Sequence, residues 1–349
     1  EDMAASKRFC YTTAACFVIL VLVTWQSMFN MEIKRAIKSL NKEIFQMEYM
    51  QDVTSGPEST QPDSLHTVMQ TIVQKWKEDF NMSSENHFAY MFGTTEVQVG
   101  GSVPKDCLLL FIGIHSGPDM VDRRNAMRQT YLKGITPDIV YRFILGNPTQ
   151  DLVDENEHFK DMVFINQRER YTALDSVLPY KAATIFVIAS RMTTRPQWLL
   201  KTDDDSLVNL PMVLKTLPKL SNHYYGSCNM KGYPIRDKRS KWHIDETFWP
   251  DGKPYPPFCV GAGYFMSTKA FSCAAKQIQL PDHVYFPRED VSGGIMMKQC
   301  NISATLLRGI YPNGLTGVKS DFLVQHYVKT AEKVHEIWHT LLENKVANA

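Results

Sequence analysis

The sequence Trp198-Leu199-Leu200-Lys201-Thr202-Asp203-Asp204-Asp205 joins an apolar run to three consecutive carboxylates. The residues that follow predict a helix, because Asn209 is a favoured N-cap residue and Pro211 suits a first helical turn, where its missing N–H is harmless. The apolar run therefore predicts a strand that ends at the aspartates. Such a strand end lies at the edge of an open α/β sheet where ligands usually bind.

The aspartate triplet indicates a metal site. Three adjacent carboxylates repel one another unless a cation lies among them. Their hard oxygen atoms suit Mg²⁺ or Mn²⁺, which keep coordination positions open for phosphate oxygens. The alternative is an acidic turn in which one aspartate caps the next helix and the others are solvated. The apolar strand directly before the triplet favours the metal site.

The composition argues against binding to nucleic acid through a strong overall charge. Of the 349 residues, 38 are Lys or Arg and 37 are Asp or Glu, which gives a formal net charge of +1. With 44% hydrophobic residues, the chain can bury a large core. Seven cysteines are present, and five of them follow residue 100. An odd number leaves at least one thiol free or bound to another molecule, and the pairing stays open.

Residues 9–29 carry no charged side chain and have about the length that crosses a bilayer. We predict a retained transmembrane signal-anchor, because no small-residue cleavage site follows, as the alternative of a cleaved signal peptide requires. Residues 1–8 are predicted to form a tail, and its first residue, Glu1, indicates a truncated start. Basic residues lie on both sides of the span, so charge alone leaves its orientation open.

Residues 30–104 are predicted to form a stem before a compact domain at 105–349. Two amphipathic stretches flank a linker rich in Ser, Thr, Pro and Asp at 52–64. Their apolar residues recur every three or four positions, which predicts helices. These helices would serve either as a plain stalk or as a dimerisation element, so a homodimer stays open.

Strands and helices alternate in the first half of the compact domain, which predicts an α/β fold with a mostly parallel sheet. The predicted strands are 107–114, 138–145, 162–165 and the run before the aspartates, and the predicted helices include 122–132 and 174–191. After residue 224 the pattern changes to strands and loops rich in Gly, Pro and aromatic residues. A last helix is predicted at 329–342.

Four further stretches carry residue types that suit chemistry. Arg124 and Arg128 share one face of a predicted helix, where they either reach a nucleotide diphosphate or form a solvated surface. Glycines in the segment 255–264 let a ligand approach the backbone. Glu289-Asp290-Val291 precedes an apolar helix, so either acid is a helix cap or a positioned base. His326 follows an apolar pair, and a lone histidine is more often structural than a ligand.

Together and in this order, these motifs resemble the β-1,3-glycosyltransferases of the galactosyltransferase family, relatives of the Fringe enzymes. The resemblance runs from about residue 105 to 327 and rests on Arg-x-x-x-Arg-x-Thr, Lys-Thr-Asp-Asp-Asp, Tyr-Pro-Pro-Phe-Cys-Val-Gly-Ala-Gly-Tyr and Glu-Asp-Val. It implies a GT-A-type, Rossmann-like mixed sheet with flanking helices, preceded by the transmembrane helix and stem. It also implies a single-pass type II protein of the Golgi membrane with a lumenal catalytic domain at 105–349.

The resemblance implies transfer of a hexose, galactose or an N-acetylhexosamine, from a UDP-sugar to a glycan on a glycoprotein or glycolipid, with inversion. By the same resemblance, Asp205, Asp203 and His326 would bind Mn²⁺ or another divalent cation, and Asp290, beside Glu289, would be the catalytic base. The implied donor-binding residues are Arg124, Arg128, Lys201, Asp203 and Asp204, and the implied acceptor loop contains Gly261, Gly263 and Tyr264. Independently, Asn81 and Asn301 lie in Asn-x-Ser glycosylation sequons.

Three positions depart from the family pattern: Tyr131, the stretch 171–174 and Ser292. They leave the metal and base positions intact and leave the two sugars open. Two other functions compete. A non-catalytic membrane-anchored relative that binds glycans or chaperones another transferase should have lost the triplet or the Glu-Asp-Val acid, and both are present. An acidic Ca²⁺-binding ectodomain would need more oxygen ligands along one loop.

Overall fold

The computed structural model describes residues 108–346, apart from 174, 193, 247, 281–282 and 316–320. The predicted tail, anchor and stem, together with Asn81, lie outside these residues. No helix in the described part of the chain is long and apolar enough to cross a bilayer. Nearly all of it belongs to one compact unit, and residues 246–250 group with a second one.

Ten strands occur in the described part of the compact unit. They are β1 (Leu108–His115), β2 (Ile139–Leu145), β3 (Met162–Phe164), β4 (Pro196–Asp203), β5 (Leu207–Val208), β6 (Tyr224–Asn229), β7 (Phe258–Ser267), β8 (Ala304–Leu306), β9 (Ile310–Tyr311) and β10 (Val324–Gln325). Seven of them form one sheet in the order β3-β2-β1-β4-β7-β6-β8, and the other three form a small sheet in the order β5-β10-β9.

The large sheet is mixed, as the family resemblance implied. Its four strands from β3 to β4 are parallel, as the alternation of strands and helices predicted. Strand β7 is antiparallel to both β4 and β6, and β8 pairs in parallel with β6. The prediction of a mostly parallel sheet is therefore confirmed for the first half of the domain, and the second half adds antiparallel pairs.

Seven helices flank the strands in the same part of the chain. They are α1 (Val121–Gln129), α2 (Gln150–Phe159), α3 (Leu178–Arg191), α4 (Leu210–Thr216), α5 (Thr268–Ile278), α6 (Glu289–Gln299) and α7 (Ala331–Val346). Helix α4 begins as predicted, since the Asn209 side chain accepts a hydrogen bond from the Met212 N–H at 3.4 Å. Helix α3 begins later than predicted, because Tyr171 and Ser176 form a β-bridge before it.

The core lies on both faces of the large sheet, because successive side chains of a strand point to opposite faces. Phe111 of β1 packs in one apolar cluster with residues of α3, α5 and α6. Its neighbours Leu110 and Ile112 pack in a second cluster with residues of α1, α4 and α7. The three-layer arrangement leaves the carboxyl ends of β1 and β4 at one edge, where the aspartates emerge.

Two disulfides settle the cysteine pairing that the sequence left open. Cys228 of β6 is joined to Cys259 of β7, and Cys273 of α5 is joined to Cys300 after α6. Native disulfides typically contribute about 2–4 kcal/mol to stability. Both bridges lie in the half of the domain that carries Glu289 and Asp290, so they brace the elements that position those acids. The fifth cysteine of the domain, Cys107, lies outside the described residues.

Candidate active site

The three predicted metal ligands come together at the carboxyl end of β4. Single ligand atoms of Asp203, Asp205 and His326 all lie within 4.8 Å of one another. Asp203 is the last residue of β4, and the small sheet brings His326, directly after β10, to the same edge through pairing of β10 with β5. Two carboxylates and an imidazole suit Mn²⁺ or a similar divalent ion. That they bind one stays a prediction.

The imidazole of His326 is held on both sides. Its Nδ1 lies 2.7 Å from the carbonyl oxygen of Pro312, and its Nε2 lies 3.0 Å from Oδ1 of Asp205 and 3.8 Å from Oδ2 of Asp203. When Nδ1 donates its proton to Pro312, Nε2 of the neutral ring is free to coordinate a cation, as backbone carbonyls commonly arrange for metal-binding histidines. The hydrogen-bonding pattern therefore fits a ligand role.

The turn after His326 is also fixed against the aspartates. Tyr327 adopts a left-handed backbone conformation with φ of 62°, which non-glycine residues rarely adopt. The next residue, Val328, donates its N–H to the carbonyl oxygen of Asp205 at 2.8 Å. Local strain of this kind persists where surrounding structure holds it and is frequent at functional sites.

Without a cation, Asp205 and His326 behave as an ion pair. Burial raises the pKa of Asp205, but the hydrogen bond with His326 and the positive charges of His326 and Arg123 together outweigh it, so the net pKa lies below the usual value. Burial likewise lowers the pKa of His326, and the hydrogen bond and charge of Asp205 bring the net pKa above its usual value. A cation bound between the two would take the place of the proton on Nε2.

Asp204 has a different task from its two neighbours. Its Oδ2 accepts hydrogen bonds from the Ser116 hydroxyl at 2.8 Å and the Gly117 N–H at 3.3 Å, and its Oδ1 accepts one from Arg123 Nη1 at 3.0 Å. Burial raises the pKa of this carboxyl, and the Ser116 and Arg123 contacts oppose the shift. Asp204 therefore fastens β4 to the loop after β1, and its predicted contact with the donor stays a prediction.

Lys201 links the metal cluster to the Glu-Asp-Val motif. Its buried ammonium donates to Oδ1 of Asp203 at 2.8 Å, to the carbonyl oxygen of Gly261 at 2.7 Å and to Oε2 of Glu289 at 3.2 Å. Burial lowers the pKa of Lys201, but the charges of Asp203 and Glu289 outweigh it and raise the net pKa, so the ammonium is charged. All three of its protons are donated to oxygen atoms of the protein. Lys201, which was predicted to bind the sugar donor, therefore connects Asp203, Gly261 and Glu289.

The two acids at the start of α6 differ in their freedom to react. Glu289 is buried, and its Oε1 accepts a hydrogen bond from the Tyr264 hydroxyl at 2.6 Å while Oε2 faces Lys201. Asp290 is partly exposed, and within the described residues its Oδ1 accepts only the nearby N–H of Val291 at 2.9 Å. Its Oδ2 has one long contact, to Arg288 Nη2 at 3.4 Å. Asp290 is thus the better placed of the two to receive a proton.

Arg124 and Arg128 share a helix face, as predicted, and that face points into the protein. Arg124 is fully buried and grips both oxygens of Glu155, at 2.9 and 2.6 Å. Arg128 binds both oxygens of Asp161, at 2.8 and 2.9 Å, and also Glu155 at 2.8 Å. The structure thus shows a scaffold role for these predicted donor-binding guanidinium groups, and their contact with a nucleotide stays untested.

The predicted acceptor loop is wrong as a loop, because Gly261, Gly263 and Tyr264 all lie within strand β7. The two glycines allow neighbouring side chains to pack closely against the strand. A Cβ on Gly261 would stand 2.8 Å from Oε2 of Glu289, and one on Gly263 would stand 3.1 Å from the Val324 side chain. Tyr264 is fully buried and does not face solvent. Its hydroxyl positions Glu289 through the hydrogen bond to Oε1.

Two buried residues of this site, His115 and Lys181, were not predicted from the sequence. His115 ends β1 directly beside Asp203 in the register of β1 and β4, and its Nδ1 lies 3.7 Å from Oδ1 of that aspartate. Neither ring nitrogen has a hydrogen-bond partner among the described residues. Burial, together with the charges of Lys201 and Lys181, holds the pKa of His115 well below its usual value. A signal existed, since His115 and Asp203 each directly follow a predicted strand.

Lys181 of α3 is the second of these residues. Its buried ammonium donates to the Ser116 carbonyl oxygen at 2.6 Å and to Glu169 at 2.7 Å. Burial lowers its pKa, and the Glu169 carboxylate opposes that shift. Its position in an otherwise apolar helix was the available signal.

The remaining sequon lies on the surface. Asn301 follows the end of α6, is exposed, and has a left-handed backbone with φ of 53° that asparagine tolerates better than most residues. Its hydroxyl-bearing partner, Ser303, is exposed as well. The site is therefore accessible to modification, and glycosylation there stays a prediction.

The chain is similar to known galactosyltransferases in sequence. Residues 122–308, more than half of the chain, match the family model described as galactosyltransferase. A β-1,3-galactosyltransferase of Arabidopsis thaliana, GALT1, is 28% identical over 251 residues, which cover 68% of this chain and 38% of that protein. Human β-1,3-galactosyltransferase 1 is 26% identical over 268 residues, 69% of this chain and 76% of that protein. The chain thus spans well under half of the plant relative.

Among solved structures, the galactosyltransferase LgtC, in complex with donor and acceptor sugar analogues, aligns at 11% identity with a TM-score of 0.35, covering 66% of this chain and 96% of that one. A likeness of this size carries no weight for the fold or the chemistry. The sequence match covers the aspartate triplet, Lys201 and the Glu-Asp-Val motif, so it includes most of the site just described. The family resemblance predicted from the motifs is confirmed: the chain belongs to the galactosyltransferase family.

Proposed function

We propose that this chain is a metal-dependent, inverting β-1,3-glycosyltransferase that moves a hexose from a UDP-sugar to a glycan acceptor. The observation that carries the proposal is the link made by Lys201, which contacts Asp203 of the metal cluster and Glu289, the neighbour of Asp290. One buried ammonium thereby fixes the cation-binding side of the site relative to the proton-accepting side. Family membership makes galactose the first sugar to test.

On the donor side, Asp203, Asp205 and His326 would hold Mn²⁺ or another divalent cation, and their oxygen and nitrogen atoms fit such an ion. The bound cation supplies charge neutralisation for the departing diphosphate. The chain itself supplies rigidity: Lys201 holds Asp203, and Pro312 orients the ring of His326. Preorganised charges of this kind lower the cost of rearrangement during reaction.

On the acceptor side, Asp290 would take the proton of the acceptor hydroxyl. The hydroxyl oxygen forms a bond to the anomeric carbon while the bond from that carbon to the diphosphate breaks, and UDP leaves with the electron pair. Attack from the face opposite the leaving group inverts the anomeric centre, as in inverting glycosidases with a hydroxyl in place of water. Glu289 is unsuited to this task because both of its oxygens face protein donors.

The proposal extends to location. We place the chain in the Golgi membrane as a type II protein, anchored by residues 9–29, with the domain in the lumen. Two disulfides support an oxidising compartment, where such bonds persist. The exposed sequon at Asn301 is compatible with the same compartment.

The test is UDP release by the full chain from UDP-galactose, UDP-N-acetylglucosamine and UDP-N-acetylgalactosamine, with Mn²⁺ or with excess EDTA. Changing even an outer-shell partner of a metal costs about 10–100-fold, so Asp205→Asn should lower Mn²⁺-dependent transfer by at least about a hundredfold. Asp154→Asn, an exposed carboxylate on α2, is the matched control and should leave transfer unchanged.

Full activity in excess EDTA, or in Asp205→Asn, would overturn the metal-dependent mechanism. Binding of UDP with Mn²⁺ without turnover of any of the three sugars, on any acceptor offered, would favour the non-catalytic alternative.

A further inference from the structure

A strongly basic segment lies between β6 and β7. Residues 230–243, here called the basic segment, contain five Lys or Arg residues and one Asp, although the chain as a whole has a net charge of only +1. The charged residues are Lys231, Arg236, Asp237, Lys238, Arg239 and Lys241. With five basic residues and one acidic residue, this short stretch has a local excess of positive charge, which produces a local field that attracts anions.

The basic segment also exposes large apolar side chains. Met230 is 56% exposed, Tyr233 47% and Trp242 43%. The backbone beneath them is fixed, because the Ile244 N–H donates to the carbonyl oxygen of Ile235 at 2.9 Å. Large apolar side chains exposed together on one short segment are a feature of interaction surfaces. Because the backbone is held, a ligand would meet a preformed surface.

Three of the lysines are available to a ligand. Lys231, Lys238 and Lys241 are exposed, and none of them forms an ion pair within the described residues. Lys241 has only an aromatic contact, since its Nζ lies 4.5 Å from the ring centroid of Trp242. Arg239 is paired with Asp237, and its side chain is nevertheless 91% exposed. These unpaired ammonium groups enable the surface to bind anions.

The basic segment is connected to the candidate base. The guanidinium carbon of Arg288 lies 5.3 Å from the ring centroid of Trp242, and Nη2 of the same arginine lies 3.4 Å from Oδ2 of Asp290. One side chain thus touches both the exposed indole and the carboxylate that would accept the proton. A sugar ring stacked on the exposed part of Trp242 would therefore be separated from Asp290 by one intervening side chain, that of Arg288.

We propose that the basic segment is the acceptor-binding surface and that the acceptor is an anionic glycan, one that carries uronate or sulfate groups. The inference rests on the proposed transferase function and specifies its substrate class. Trp242 provides the apolar face for the sugar ring, and Lys231, Lys238 and Lys241 pair with the anionic groups. The proximity to Asp290 favours a glycan over an anionic membrane surface as the ligand.

The experiment measures binding of three tetrasaccharides to the full chain in the presence of UDP and Mn²⁺. Chitotetraose is neutral, a hyaluronan tetrasaccharide carries uronate only, and a chondroitin sulfate tetrasaccharide carries uronate and sulfate. The wild type should bind both anionic sugars more tightly than chitotetraose, and the difference between the two identifies the anionic group that matters. Binding to the anionic sugars should weaken with added salt.

The triple variant Lys231→Gln/Lys238→Gln/Lys241→Gln should weaken binding of the anionic sugars about eightfold, because each exposed ion contact contributes a factor of about two. Chitotetraose and UDP binding should not change. The matched control, Lys215→Gln/Lys219→Gln/Lys276→Gln, removes three exposed lysines elsewhere and should keep the preference for anionic sugars. Trp242→Ala should weaken all three sugars, and Trp242→Phe should recover part of the loss.

The inference is overturned if the wild type binds chitotetraose as well as the anionic sugars, or if the preference survives in the triple variant or disappears in the control. It is also overturned if the triple variant loses only its binding to phosphatidylserine vesicles relative to phosphatidylcholine vesicles, which would assign the surface to a membrane. Transfer to neutral acceptors alone would overturn it while the proposed function stands.

The experiment also recognises the opposite outcome, in which the proposed function fails and the binding surface is real. If no UDP-sugar is turned over, yet the anionic preference is present and is lost in the triple variant, the proposed function fails and the basic segment stands as an anionic-glycan-binding surface.

Discussion

Two clusters of charged side chains in this domain have different roles, one as scaffold and one as a candidate cation site. In the first, Arg124 and Arg128 of α1 are enclosed by Glu155 and Asp161, so that two positive and two negative groups satisfy one another. The Arg128 guanidinium also lies 3.8 Å from the ring centroid of Phe159, which covers it. Every guanidinium nitrogen of the two arginines donates to an oxygen of the protein.

The second cluster stays incomplete. Asp203, Asp205 and His326 place two carboxylates and one imidazole within 4.8 Å of one another. Lys201 approaches only Asp203, and it is shared with Glu289. A buried cluster with balanced charge therefore acts as scaffold, whereas an unbalanced cluster at a strand end is suited to bind a cation. Four substitutions test this distinction, and they are given in order of decreasing expected effect.

Arg124→Met should be the most damaging change to stability. It removes one cation from the first cluster and leaves the Glu155 carboxylate, whose side chain is only 9% exposed, with a single charged partner; breaking a buried pair in this way typically costs about 3–5 kcal/mol. Urea denaturation measures the free energy of unfolding. Arg170→Met breaks an exposed pair with Asp175 and should cost at most about 1 kcal/mol. Equal losses in the two variants would contradict a scaffold role for Arg124.

Asp290→Asn should leave the fold intact and slow the reaction. Asparagine keeps nearly the same volume but is a poor proton acceptor, and loss of a positioned base costs about 10²–10⁴-fold. We expect kcat to fall at least about a hundredfold, with unchanged affinity for UDP and Mn²⁺ by titration. Glu289→Gln should instead lower stability, because Lys201 loses a buried partner. Normal transfer by Asp290→Asn, or loss of its UDP binding, would remove Asp290 from the base position.

Gly261→Ala tests how tightly the second cluster is packed. The new Cβ would stand 2.8 Å from Oε2 of Glu289 and 3.3 Å from Nζ of Lys201. Overpacking of a core typically costs about 1–3 kcal/mol, measured here by thermal or urea unfolding. Gly293→Ala in α6 is the control, because its Cβ has only an ordinary contact at 3.6 Å and alanine favours helices. If both variants are equally stable, the packing argument for Gly261 fails.

His115→Gln should reduce the pH dependence of the free energy of unfolding at acidic pH, measured in EDTA. The folded-state pKa of His115 lies below the usual 6.5, so its contribution is present above about pH 6.5 and is lost as pH falls towards the folded-state pKa. One proton taken up on unfolding changes stability by at most about 1.4 kcal/mol per pH unit. The variant should lose that slope below about pH 6.5, and exposed His158→Gln should retain it. An unchanged slope in His115→Gln would contradict the neutral, buried histidine.

Local signals were enough for the elements that lead to the site. The apolar run before Asp203 predicted β4, and Asn209 with Pro211 predicted the start of α4, because both signals act within a few residues. The segment around Gly261 was misjudged as a loop for the opposite reason. Its strand conformation comes from pairing with β4 some 60 residues away, and glycine by itself disfavours strands.

The amino-acid sequence identified the chemical groups of this protein and, through the order of its motifs, its family. It placed the aspartate triplet at a strand end, and the family resemblance grouped Asp203, Asp205 and His326 as one set. The role of each charged group depended on the fold, because that role follows from the partners that the fold brings within about 3 Å. Helical spacing put Arg124 and Arg128 on one face, and only packing showed that this face is the buried one.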